Sequence, residues 1–453
     1  MKEIIFKRKA YKELLKWKKE CAGTRAVLLE GARRVGKSTI AEEFAKKEYK
    51  SYILVDFSKA DEETLSVFDD IHNLNLFFAR IQMVSHVKLY ERESVLIFDE
   101  VQLRPQVRQA IKHLVADGRY DYIETGSLIS IKKNVEKILI PSEERKIEVF
   151  PMDYEEFCDA LGLGYENLRE LYKLKAPIGE AVNRKLIREF RLYLAIGGMP
   201  QAVASFVSGK NFDEIDAVKR DIISLYKDDL RKVDGSGRIS KMFESVPAQL
   251  VAKKNRFSFG YCLGKKSAKD DERLSDLLES KIVNACYRLD DVSPSFSLDT
   301  DLTDFKLYLG DTGLFVTMLL NRGEGGYEDL YRKLLGDKLE LNLGYLYENA
   351  VAQMITSAGR DLRYFTFAEK EGKRIYEIDF LLGKGGKAIP LEVKSSKVNK
   401  HDSIDRFAVD YSKRLLKRYL VSSKDYFKDK DLVNLPFYLL PCLLDDLASL
   451  NDK

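Results

Sequence analysis

Over residues 1–150, short unbroken apolar runs alternate with longer stretches in which apolar positions recur every three or four residues. A strand buried on both faces reads as a continuous apolar run, and a helix laid over it keeps one polar side, so the alternation predicts a three-layer α/β domain on a mostly parallel sheet. Strands are expected at about 25–30, 51–57, 94–99, 121–126 and 145–150, with helices over 37–47 and 106–116. From Pro151 the pattern turns helical and charged, and a helix near Tyr193 is broken by Gly197-Gly198 and restarted after Pro200. Between 240 and 330, short helices alternate with strand-like pieces such as Phe305-Lys306-Leu307-Tyr308-Leu309, an order compatible with a winged helix. In the last hundred residues a helix carrying Leu346, Glu348, Val351 and Ile355 precedes apolar runs at 376–382 and 388–394, separated by a glycine turn at 383–386.

The first strand runs into Gly31-Ala32-Arg33-Arg34-Val35-Gly36-Lys37-Ser38-Thr39, the GxxxxGK[ST] spacing between a strand and a helix. Gly31 and Gly36 let successive backbone N–H groups face phosphate oxygens, and the following helix aims its positive end at the same charge. In this pattern Lys37 reaches the β- and γ-phosphates and the Ser38 hydroxyl holds Mg²⁺. Ser94-Val95-Leu96-Ile97-Phe98 then delivers Asp99 and Glu100 at a strand end: Asp99 for the metal, Glu100 as general base toward the attacking water. The fourth strand ends at Glu124-Thr125-Gly126-Ser127, where Thr125 or Ser127 is either a γ-phosphate sensor or a helix cap.

A second group of charges lies near the C-terminus. Asp379 and Glu392 stand on the two apolar runs flanking the glycine turn, and Lys394 shares a strand face with Glu392. A hairpin brings these three together, with Glu348 on the preceding helix as a further acid; two carboxylates and a carbonyl suit Mg²⁺, and the ammonium suits a phosphate.

Composition narrows the classes. A chain of 453 residues calls for two or three domains, and 45% hydrophobic with 33% charged residues describes a globular protein rather than a disordered one. A net charge of +4 gives no global basic field, although residues 1–50 carry 15 Lys/Arg against 7 Glu, a pattern that also fits a solvated helix face. The mixed basic and aromatic stretch from Lys253 and Lys254 through Phe257, Phe259 and Tyr261 to Lys266 has the same two readings. Five scattered cysteines without CxxC spacing argue against a zinc ribbon or disulfide framework, and the four histidines form no metal spacing. No run is long enough to cross a bilayer, so a cytoplasmic protein without membrane contact is expected.

Taken together, these motifs resemble a widespread prokaryotic family of AAA-superfamily ATPases with a C-terminal domain of unknown function and restriction-endonuclease-like fold. The resemblance rests on the loop from Gly31 to Thr39, Phe98-Asp99-Glu100-Val101-Gln102, Glu148-Val149-Phe150-Pro151-Met152, Tyr193 through Pro200, Lys306 through Leu314, and Glu392-Val393-Lys394. It implies a P-loop ATPase domain at 1–150, a helical lid or linker at 151–239, a winged-helix-like region at 240–330 and a PD-(D/E)XK nuclease-like domain at 331–453, the last with Ile378 where the motif's proline stands. It further implies ATP rather than another nucleotide, and an arginine at Arg145 that senses the γ-phosphate in cis or from a neighbouring subunit, although Glu143-Glu144 departs from the residues usual before it. The function expected is ATP hydrolysis coupled to DNA engagement, with ATP, Mg²⁺, DNA and a homo-oligomeric partner as candidates. The alternatives are an ATP-dependent signalling switch and an ATP-gated DNA endonuclease.

Overall fold

A computed structural model describes residues 4–126, 143–252, 256–292, 300–320, 326–336, 343–369, 374–395 and 400–448. The chain divides into two compact units, one comprising Met1–Phe150 with Asp229–Gly235 and Glu279–Lys281, the other the remaining residues.

In the first unit, five strands form one parallel sheet in the order β2-β3-β4-β1-β5: β1 Ala26–Glu30, β2 Ser51–Asp56, β3 Ser94–Asp99, β4 Asp121–Gly126 and β5 Glu144–Glu148. Every residue of β3 and β4 is buried, as the unbroken apolar run of β3 requires, and in β4 the burial extends to Asp121, Glu124 and Thr125. On one face, Phe57, Phe68, Phe77, Phe78, Phe98, Ile111 and Leu114 belong to a single apolar cluster fed by β2, β3, helix α4 (Leu74–Ser85) and helix α5 (Pro105–Asp117). Helix α4 starts on Asn73, whose side chain accepts from the Leu76 N–H; α5 starts on Pro105 and stops at Gly118 in the left-handed conformation. Helix α2 (Lys37–Glu48) follows β1, and α1 (Lys9–Cys21) precedes it.

Beneath α5 the sheet buries a charged trio. Arg108 grips Glu144 through two bonds of 3.0 and 2.8 Å, and Glu124 lies fully buried beside them, its oxygens without a hydrogen-bond partner among the described residues. Burial, then the charge of Glu144, pushes the Glu124 carboxyl well above its ordinary value, against the pull of Arg108. A raised folded pKa contributes stability that is complete below the unfolded value of about 4.3 and is lost as pH rises through the folded one. Glu124→Gln should therefore melt higher than the parent at pH 8 and alike near pH 4. A lower melting point at pH 8 would contradict the buried-acid reading.

The second unit carries two sheets. In one, β7-β6-β8-β9, strands β6 (Val283–Leu289) and β7 (Thr300–Leu309) form an antiparallel pair, β8 (Leu362–Ala368) runs parallel to β6, and β9 (Ile375–Ile378) closes the edge. The helices Arg238–Val251, Phe259–Leu263 and Asp270–Glu279 followed by β6 and β7 keep the helix-then-hairpin order of the winged-helix expectation. Strand β8 also pairs with β6 and merges the hairpin into a larger sheet. The other sheet is β10-β11-β12-β14-β13, with β10 (Phe380–Lys384) antiparallel to β11 (Lys387–Lys394), β12 (Arg418–Ser422) and then β14 (Leu432–Pro436) parallel beyond it, and β13 (Phe427–Asp429) antiparallel at the edge. The apolar run at 376–382 is thus two strands: β9 belongs to one sheet, β10 to the other, and Asp379 stands at the corner between them.

Within this unit, residues far apart in sequence meet as backbone. The Met152 N–H donates to the Gly198 carbonyl at 2.7 Å, the Gly198 N–H donates to Asp311 Oδ2 at 2.6 Å, and the Tyr193 hydroxyl donates to the Met152 carbonyl at 3.1 Å. The motifs around residues 152, 198 and 311 therefore build a packing junction.

Candidate functional site

The C-terminal ends of β1, β3 and β4 lie side by side in the sheet, so the loop after β1, the acids after β3 and the last residues of β4 converge. Gly31 has φ +149°, and a Cβ there would stand 2.2 Å from the Val149 carbonyl oxygen, so only glycine fits. Gly36 at φ +94° turns the loop into α2, with Arg34 also left-handed at +69°. Ala32 and Val35 are buried, and Arg33 pairs with Asp229 of the same unit at 3.0 Å. Arg8, which nothing in its basic stretch singles out, clamps the loop from behind by donating to the carbonyls of Val35 at 2.8 Å and Phe150 at 2.6 Å.

Lys37 is buried and donates to the carbonyls of Gly31 and Ala32 at 3.1 and 2.8 Å. Burial pulls it down to about 8, against the carboxylates of Glu100 and Asp99. The Ser38 hydroxyl donates to Asp99 Oδ1 at 2.7 Å. The Thr125 hydroxyl donates to the same carboxylate oxygen and accepts the Glu100 N–H at 3.3 Å, which makes it a bridge between the two acids. Glu100 sits at φ +56°, a left-handed conformation costing a non-glycine residue about 1–2 kcal/mol, and the Gln102 amide donates to its carboxylate. Ser127 lies outside the described residues.

Arg145 is not at this site. In the parallel pairing it stands opposite Val27, near the start of β1, and its guanidinium bonds Glu20 of α1 at 3.0 Å. Gly31 lies four positions beyond Val27, about 13 Å along a strand, so Arg145 stands at the far end of β1 from the phosphate loop. A residue entering a parallel strand lies at the edge opposite the phosphate loop.

A family model described as an AAA domain matches residues 23–158. This segment, which takes in all five strands of the first sheet, is similar to an AAA domain. Two models described as domains of unknown function, DUF8612 and DUF4143, match residues 187–324 and 343–439. No curated protein matches the chain. Among solved structures, PCH-2 from C. elegans is 13% identical over 39% of this chain and 50% of that one, at TM-score 0.21. A signal-transduction ATPase of the STAND class with a tetratricopeptide repeat sensor, from Pyrococcus horikoshii, is 11% identical over 78% and 48%, at TM-score 0.27. A DNA replication initiation factor is 14% identical over 60% and 78%, at TM-score 0.24. The chain spans about half the length of the first two. At these scores the assignment stands on the AAA match and the sheet rather than on the neighbours.

In the second unit, Lys394 pairs with Glu392 at 2.6 Å and Asp379 Oδ2 accepts the Val393 N–H at 2.7 Å. Three residues absent from the sequence-based site join them: Lys306, which pairs with Glu377 at 2.6 Å and Glu348 at 3.7 Å, Glu377 itself, and Tyr308, whose hydroxyl donates to Glu348. Burial, then the charges of Glu348 and Glu392, hold the Asp379 carboxyl well above its ordinary value. Burial opposes the charged form of Lys306, but Glu348, Glu377 and Asp379 outweigh it and raise its pKa. The available signal was a lysine and a tyrosine two apart on one face of the apolar second half of β7, residues 305–309. Among the described residues, no group of three or more His, Cys, Asp or Glu side chains is gathered closely enough to hold a metal ion. No helix among them is long and apolar enough to cross a membrane.

Proposed function

We propose that the AAA domain hydrolyses ATP with the residues around Lys37, Asp99 and Glu100, and that the C-terminal unit couples this cycle to DNA. The observation that carries the first part is the single constellation of Lys37, Ser38, Asp99, Glu100 and Thr125 at adjacent strand ends. Lys37, buried and donating to the loop carbonyls of Gly31 and Ala32, is a cation awaiting phosphate oxygens. Ser38 and Asp99 offer a hydroxyl and a carboxylate oxygen 2.7 Å apart, the hard donors that suit Mg²⁺. When bound there, the ion would neutralise charge on the phosphate oxygens. Glu100 takes the proton of the attacking water, held in register by Gln102 and by the Thr125 hydroxyl, which ties its backbone to Asp99.

The DNA part is supported by charge. Lys387, Lys413, Arg414, Lys417 and Lys428 are exposed near one end of the β10–β11 sheet, and the Lys387 ammonium donates to the Lys413 carbonyl at 2.6 Å. Burial and then the ammoniums of Lys175, Lys428 and Lys384 lower the pKa of Lys417, the mark of a crowded cationic surface that a polyanion would relieve. ATP turnover compared without nucleic acid, with single strands, with duplex and with RNA tests the coupling. Duplex DNA should raise turnover several-fold, and Lys387→Glu/Lys413→Glu/Lys417→Glu should remove the stimulation while sparing basal turnover and flattening the salt dependence of DNA binding. Turnover indifferent to every nucleic acid would overturn the DNA part and leave the ATPase standing.

A further inference from the structure

The C-terminal acids were expected to gather a divalent cation, and the structure gives each of them another partner. Lys306 lies on β7, 7% exposed, with its ammonium 2.6 Å from Glu377 and 3.7 Å from Glu348. Glu348 also accepts from Tyr308, Asp379 accepts the Val393 backbone N–H, and Glu392 is paired with Lys394. One oxygen of the set, Glu392 Oε2, is buried without a hydrogen-bond partner among the described residues. A magnesium or manganese ion needs several oxygens converging on one point at about 2.1 Å. Among the described residues that convergence is absent, and a protein ammonium stands among the carboxylates instead.

We infer that Lys306 is the resident cation of this cluster, set between Glu348 and Glu377 beside Asp379, and that the C-terminal unit holds no divalent metal there and carries no metal-dependent nuclease centre. The residue types of a phosphodiesterase site are present, but a fixed charge neutralises them. A charge on a tether cannot polarise a phosphate oxygen or activate a water while it is bonded to two carboxylates behind the protein surface, so what remains is a rigid, charge-compensated joint between β7, the helix Gly344–Ser357 and the corner at Asp379. The inference is independent of ATP chemistry in the AAA domain.

Manganese titration of the nucleotide-free full chain, followed by electron paramagnetic resonance, tests it. The parent and Asp379→Asn should bind the same number of Mn²⁺ ions, and plasmid DNA incubated with Mn²⁺ should show no nicking that Asp379→Asn abolishes. Lys306→Met removes the internal cation and should gain a Mn²⁺ site about tenfold or more tighter than any in the parent, lost again in Lys306→Met/Asp379→Asn. A parent that binds one ion more than Asp379→Asn, or that nicks DNA in an Asp379-dependent way, overturns the inference. So does a folded Lys306→Met that gains no site. Should Lys306→Met fail to fold, the comparison of the parent with Asp379→Asn decides alone.

Discussion

Glu100→Gln should cut ATP turnover by about 10²- to 10⁴-fold and leave ATP affinity within a few-fold of the parent, because the change removes a proton acceptor and keeps the shape of the side chain. The amide keeps an oxygen that can accept from Gln102, and the backbone N–H that donates to Thr125 is untouched, so the left-handed turn at residue 100 persists. Lys37→Ala should behave differently. It deletes the cation buried under the loop, so both turnover and affinity for ATP fall, the affinity by about tenfold or more. Calorimetry with ATP and magnesium on the two variants, beside single-turnover hydrolysis, separates the roles. If Glu100→Gln lost ATP binding along with turnover, Glu100 would be a structural residue of the β3 end; if it kept full turnover, the base would lie elsewhere. If Lys37→Ala kept parental affinity, the loop would not be the phosphate site.

The nucleotide half of the molecule was legible because its signals are local. Strands β1, β2 and β3 are apolar runs bracketed by polar residues, whereas β4 and β5 carry charged residues within them, and the observed strands begin and end within about two residues of the expected ones, as element edges usually do. The phosphate loop needs only spacing. What the sequence hid depends on where distant segments meet. Arg145 reads as a basic residue ahead of a strand, and only the register against β1 shows which end of the sheet it occupies. The run at 376–382 keeps its apolar pattern straight through Asp379, so nothing marks the point at which the chain passes from one sheet to the other. Lys306 meets Glu377 across 71 positions, and nothing in either segment points to the other. Arg8 likewise meets Phe150 across 142 positions and was indistinguishable from the lysines around it.

Gly198→Ala is expected to be among the most damaging single changes in the second unit, costing about 3 kcal/mol or more. A Cβ at Gly198 would lie 1.9 Å from the Met152 carbonyl oxygen and 2.7 Å from its nitrogen, both backbone atoms that no rotamer change can move aside. The same residue donates its N–H to buried Asp311 at 2.6 Å and accepts from Met152 at 2.7 Å, so shifting its backbone breaks two bonds in a dry environment. Its neighbours are held as tightly: a Cβ on Gly313 would stand 2.2 Å from the Ile196 carbonyl oxygen, and the buried Lys219 ammonium already donates to the Ala195 carbonyl at 2.7 Å. Gly209→Ala provides the control. Gly209 has φ +82° with open space where its Cβ would go, so the cost there is backbone strain alone, about 1 kcal/mol. Calorimetric melting of both variants should show a large loss for Gly198→Ala and a small one for Gly209→Ala. Equal losses would mean that left-handed strain outweighs contact at these glycines, and that the junction of residues 152, 198 and 311 yields more readily than its distances imply.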